Sequence, residues 1–145
     1  MKPKLSIVTL GVNDLQNARN FYERKFGWTP VAVNKDIVFY KLNGILLSLF
    51  GKQELASEAG VSTVGGSIGL DYLVGTAEEV DELFTLLEGR GVDIVKRPEM
   101  TFFGAYVGYV ADNEGNVWGV GFNPYVELDE QGNIVTHKDI KHLEG

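Results

Sequence analysis

The chain has 145 residues, with 13 Lys and Arg against 20 Asp and Glu, a formal charge of −7. At 44% hydrophobic and 23% charged residues it has globular composition, and it is long enough to build a core without staples. Cysteine is absent, which excludes disulfides, thiolate metal sites and cysteine nucleophiles. The basic residues are scattered and outnumbered, which argues against nucleic acid.

Residues 5–12 read as a strand rich in Ile, Val, Thr and Leu. Asp14 supplies a side-chain acceptor at a helix start, and Leu15, Ala18, Phe21, Tyr22 and Phe26 recur at helical spacing. An amphipathic helix is therefore predicted over 15–26, closed by Gly27. Strands follow at 31–33, 37–42 and 45–50, with the turn pair Asn43-Gly44 between the last two.

The order then repeats. Residues 67–74 are strand-like, Thr76 and Glu79 have capping-box spacing, and Val80, Leu83, Phe84 and Leu87 form a helical face. Strands at 92–95, 106–110 and 117–122 follow, the last two joined by Asp112-Asn113-Glu114-Gly115. The predicted fold is α+β: two tandem βαβββ modules, about 4–60 and 66–124, in one domain spanning 1–124. The glycine-rich stretch 60–67 reads as their linker. Residues 125–145 read as a polar C-terminal arm that carries both histidines, His137 and His142. No apolar run is long enough to cross a bilayer, and the Met1-Lys2-Pro3-Lys4 start carries no secretory core, so a cytoplasmic location is expected.

Eighteen glycines, about 12% of the chain against a usual value near 7%, are the compositional oddity. Gly104, Gly108, Gly119 and Gly121 interrupt apolar stretches, as glycines do at bends and close approaches. They predict a curved sheet.

Two stretches carry a family resemblance. Val8-Thr9-Leu10-Gly11-Val12-Asn13-Asp14-Leu15, followed by Phe21-Tyr22 and Phe26-Gly27-Trp28, resembles the opening of the vicinal oxygen chelate superfamily. That superfamily includes glyoxalase I, bleomycin-resistance proteins and extradiol dioxygenases. Asp112-Asn113-Glu114-Gly115-Asn116-Val117-Trp118 resembles its second-module signature, usually Asp-Pro-Asp-Gly before an apolar strand. The resemblance covers roughly residues 5–124 and implies curled, cup-like mixed sheets enclosing a cavity.

Enzymes of that superfamily hold a divalent metal with His, Gln or Glu from four strands. Position by position, those ligands fall on Ile7, on Leu47 or Ser48, between Gly69 and Tyr72, and on Gly119. Aligning Gly44 with Gly115 selects Ser48, and in the third segment only Asp71 can coordinate. A catalytic divalent site needs three or four convergent N/O donors. Ile7 and Gly119 provide none, so no metal and no cofactor are expected.

The candidate ligand-binding residues are Asp71, Tyr106, Ser48, Phe103, Phe102 and Tyr109. Asp71 is read either as a carboxylate facing the cup or as an outward residue of an alternating strand. For Phe102 and Tyr109 a pocket wall and ordinary packing are equally good readings, whereas Tyr106 is favoured for the pocket by its small neighbours. Ser48 has no histidine nearby to activate it. Strand alternation turns Trp118 away from Gly119 and into the core. Arg97 is a candidate for a rim anion contact or a solvated charge.

The resemblance and the failed ligand positions together imply a binding protein of the bleomycin-resistance type, holding a small organic molecule in an aromatic-lined cup. The alternative is a superfamily enzyme (lyase, isomerase or dioxygenase) using other metal ligands or Asp71 acid–base chemistry. The resemblance also implies a homodimer, since short curled sheets leave edges that need covering.

Overall fold

The structure is a computed structural model that describes residues 3, 6–59, 62, 69–140 and 142. Most of the expected linker at 60–67 lies outside the described residues. Two compact units are present: Met1–Ser67 with Asp112–Glu114, and Ile68–Ala111 with Gly115–Gly145.

In the first unit the strands are β1 (Ile7–Val12), β2 (Ala32–Val33), β3 (Ile37–Lys41) and β4 (Leu46–Gly51), in the spatial order β1-β4-β3-β2. β1 lies parallel to β4, and β4 and β2 run antiparallel to β3. The helix α1 (Leu15–Asn20) connects β1 to β2. Asp14 caps it by accepting from the Asn17 amide at 3.0 Å. The second unit repeats the plan with β5 (Gly69–Leu73), α3 (Ala77–Gly89), β6 (Asp93–Met100), β7 (Tyr106–Ala111) and β8 (Val117–Phe122), ordered β5-β8-β7-β6. Each module is βαβββ, and its sheet is curled and not closed.

Thr76 starts α3 as its spacing predicts. Its hydroxyl accepts from the Glu79 amide at 3.2 Å, and the Glu79 carboxylate reaches back to the Gly75 amide at 3.3 Å. The helix stops at Gly91, whose φ of 78° suits a residue without Cβ. Val80, Phe84 and Leu87 bury the inner face of α3. A Cβ built on Gly108 collides with Phe84 Cζ and comes 2.8 Å from the Pro98 nitrogen. Glycine is what lets α3 close on β7.

Four details differ from the sequence reading. The expected helix 15–26 changes to a π-helical turn over Phe21–Lys25, with the Phe26 amide bonded to the Phe21 carbonyl at 3.2 Å. The wider turn brings the Phe26 ring to 4.9 Å from Phe21 and 5.5 Å from Tyr22. An unforeseen helix α2 (Lys52–Ala59) follows β4; its residues are good helix formers, but its sequence carries almost no apolar face. β6 runs on to Met100, past the expected 92–95, because register shifts on either side of Lys96 absorb Pro98. The C-terminal arm contains the hairpin β9 (Val126–Leu128) and β10 (Ile134–His137).

The turn Asp112–Glu114 groups with the first unit, and its contacts there explain its residue types. Asp112 is buried and accepts from the Tyr22 hydroxyl at 2.6 Å and from the Glu114 amide at 2.9 Å. The Glu114 carboxylate accepts from the Asn13 and Asp14 amides at 2.8 and 3.2 Å, beside the α1 N-terminus. Asn113 donates to the Asn17 carbonyl at 2.6 Å. Tyr22→Phe removes a donor from a buried carboxylate and is expected to cost about 1–3 kcal/mol in urea denaturation. An unchanged midpoint would show that this bond adds nothing to stability.

Candidate functional site

Strand alternation and register decide which residues share a face. In the first unit Leu10, Val12, Leu47, Leu49, Val38 and Tyr40 are buried on one face. The opposite face carries Ile7, Thr9, Ser48 and Phe39, since Thr9 pairs with Ser48 and Ser48 with Phe39. Ser48 is fully buried, and its hydroxyl shares a 2.7 Å hydrogen bond with the Thr9 hydroxyl.

In the second unit the face toward α3 carries Trp118, Val120, Val110, Gly108 and Tyr106. Trp118 is buried there, on the side expected of it. The open face carries Asp71, Gly119, Tyr109 and Lys96 in one row across all four strands: Asp71 pairs with Gly119, Gly119 with Tyr109, and Tyr109 with Lys96.

Gly119 is the floor of this row. A Cβ built on it collides with Asp71 Oδ1 and comes within 3.3 Å of Tyr109 Cε1. The carboxylate and the phenol ring therefore lean from flanking strands into the space that a side chain at 119 would fill. Asp71 remains open to water, yet partial desolvation raises its carboxyl above its ordinary pKa. Among the described residues it has no hydrogen-bond or ion-pair partner. Lys96, at the other end of the row, is committed to Glu99 at 2.7 Å.

The remaining candidates lie elsewhere. Tyr106 sits three residues from Tyr109 and so on the α3 side, where its hydroxyl donates to Asp81 Oδ1 at 2.6 Å. Phe102 and Phe103 occupy the loop between β6 and β7, in edge contact at 5.2 Å, with Phe102 86% exposed. Ser48 belongs to the first unit's sheet. Arg97 is held by Glu88 through two hydrogen bonds of 3.1 and 2.5 Å, so the rim anion reading has no free guanidinium to draw on. An open depression of about 620 Å³ is lined by Phe50, Gln53, Glu54, Ser57 and Glu58; none of the candidates borders it.

A divalent metal does not fit the residues at the expected ligand positions. Ile7 and Gly119 have no donor, and the Ser48 hydroxyl is engaged with Thr9. Among the described residues no group of three or more His, Cys, Asp or Glu side chains is placed to hold a metal ion.

A family model for the Glyoxalase/Bleomycin resistance protein/Dioxygenase superfamily matches residues 4–120. The chain belongs to that superfamily. Among solved structures, a glyoxalase-related enzyme from Fulvimarina pelagi is 32% identical, with a TM-score of 0.84 over 94% of this chain and 99% of that one. A lactoylglutathione lyase from Agrobacterium tumefaciens is 26% identical, with a TM-score of 0.71 over 84% and 95%. A superfamily protein from Nocardioides shares the fold at 20% identity, with a TM-score of 0.75 over 84% of each chain. No curated protein matches.

Within this superfamily fold, the unpaired Asp71 gives a pH test. A carboxyl whose folded pKa is raised costs no stability at pH values below its unfolded pKa, and costs progressively more as the pH rises through the folded pKa. Asp71→Asn removes that cost. The variant is expected to exceed the parent at neutral pH by less than about 1 kcal/mol, the side chain being open to water. The gain should vanish below about pH 4. Urea midpoints across the pH range check it; a less stable variant at neutral pH would contradict the assignment.

Proposed function

We propose that this chain is a metal-independent superfamily member that binds a small organic molecule against the open face of its second module. Asp71 is the polar anchor of that site and Tyr109 its aromatic wall. The observation that supports this reading is the row Asp71–Gly119–Tyr109, in which both side chains converge over a glycine floor. A sheet face on which a polar anchor and an aromatic ring converge has the make-up of a small-molecule site. Phe102 and Phe103 stand as secondary wall candidates on the loop leading into β7. The protein acts in the cytoplasm as a homodimer on this reading, and sedimentation showing only monomer at micromolar concentration would refute the dimer.

The second reading is enzymatic. It draws on the structures 32% and 26% identical, described as a glyoxalase-related enzyme and a lactoylglutathione lyase. Glyoxalase chemistry requires a metal to polarise the substrate oxygens and a carboxylate to move the proton. At the corresponding positions this chain has Ile7, Ser48 and Gly119.

One experiment separates the two. Purified protein is titrated with Ni or Zn, assayed for hemithioacetal isomerisation, and screened by thermal shift against a library of small organic molecules. Binding without stoichiometric metal and without turnover is the expected outcome. Gly119→Glu is expected to leave turnover absent, since even its Cβ collides with the Asp71 carboxylate. Chelator-sensitive turnover by the unmodified protein would establish the enzymatic reading instead.

A further inference from the structure

We propose that the exposed surface formed by Asp71 and Tyr109 beside Gly119 is a recognition site for an organic cation, an ammonium or amidinium group carried on a small apolar body. The Asp71 carboxylate meets the charge, the Tyr109 ring meets the cation's apolar flank, and Gly119 positions both. This rests on the small-molecule reading above and narrows it to one class of ligand.

Three observations carry it. First, Asp71 differs from the partnered carboxylates of the structure. Asp112 has Tyr22, Glu23 has Arg19 and Tyr40, Asp81 has Tyr106, and Glu88 has Arg97. Asp71 has no such partner among the described residues, although part of its hydration is lost. A partly desolvated carboxylate gains most from a ligand that brings a positive charge or strong donors.

Second, an aromatic ring stands at the same point. The built Cβ of Gly119 contacts Asp71 Oδ1 on one side and Tyr109 Cε1 at 3.3 Å on the other. Carboxylate and ring thus meet above Gly119 and stand side by side, the arrangement that favours a cation through charge and ring quadrupole together. An anionic group is repelled there, and a neutral donor gains a hydrogen bond without the charge attraction.

Third, the protein's own cation in the row does not fill the site. Lys96 stands in register with Tyr109, but its ammonium is ion-paired with Glu99 at 2.7 Å. Among the described residues the row has a carboxylate without an ion-pair partner at the β5 end and the Lys96–Glu99 pair at the β6 end. The overall charge of −7 adds attraction for cations at a distance.

Gly119 is the positioning residue. With a methyl group there, Asp71 must rotate away, so the carboxylate stays in the chain but leaves its place beside Tyr109. Asp71→Asn removes the charge in place. The two variants thereby separate charge from geometry.

The test compares benzylammonium with benzyl alcohol, two soluble probes of nearly the same shape, by NMR titration of the full chain. Benzylammonium should bind about tenfold more tightly, with shifts at residues 71, 109 and 119, and added salt should weaken it. The preference for benzylammonium over benzyl alcohol should fall below about twofold in Asp71→Asn and in Gly119→Ala. Unchanged amide spectra away from the site verify that the variants fold. Equal affinities in the parent, or a preference that survives Asp71→Asn, overturns the cation assignment and leaves small-molecule binding standing. Binding of library compounds with no shift from either probe at residues 71, 109 and 119 also overturns it. No binding by any compound overturns both.

Discussion

The parallel pairing of the first and last strand in each module is the constraint from which the rest of the arrangement follows. β1 lies beside β4 and β5 beside β8, so a crossover containing a helix must separate them in the chain. That helix covers one face of the sheet, and period-two alternation then assigns every residue either to the helix or to the open side. Trp118 and Val120 go inward because Phe84 and its neighbours on α3 need a surface to bury. Gly119 goes outward for the same reason. The open face is a consequence of the packed one.

The turn Asp112–Glu114 illustrates how a polar sequence motif acquires a structural task. Its carboxylates accept from first-unit donors: the Tyr22 hydroxyl and the Asn13 and Asp14 amides beside the start of α1. Around Tyr22 the rings of Phe21, Phe26, Trp28 and Tyr40 pack within 5.1 to 6.0 Å. Glu23 accepts from Arg19 and Tyr40 beside them, which lowers its own pKa and raises that of Arg19, while burial and the Glu23 contact raise that of Tyr40. Polar groups next to an aromatic core are tolerated because each has a partner.

Most of the fold was legible because its signals are local. The Asn43-Gly44 turn, the Thr76 cap and the apolar run of β8 each predict an element from a few neighbouring residues. α2 was missed because it has high helix propensity and almost no apolar stripe, so periodicity had nothing to register. β6 was cut short because Pro98 reads as a strand breaker, and only the register shifts show how it is accommodated. The site was legible in part. Asp71 and Gly119 follow from the family pattern and alternation, but favouring Tyr106 by the smallness of its neighbours overlooked parity. Three residues apart in one strand, Tyr106 and Tyr109 point to opposite faces, and the hairpin turn at Asp112 sets Tyr109 against Gly119. The contact between Asp71 and the space above Gly119 crosses strands 48 residues apart in the sequence, which no local pattern reports.

That cross-strand contact also bears on how the chain departs from the metal-binding pattern. Neighbouring strands lie about 4.8 Å apart, so a short carboxylate on one strand can reach the volume above a glycine on the next. Asp71 puts an oxygen beside the point where a Cβ at position 119 would stand. A carboxylate beside Tyr109, with Ile7 and Ser48 at the other ligand positions, supplies fewer than the three or four convergent donors of a catalytic divalent site. On the proposed binding reading it presents charge to a ligand and holds it against a ring, a task for one placed oxygen rather than a full set of metal donors. Glycine at 119 is therefore not simply a lost ligand: it leaves the vacancy into which Asp71 leans.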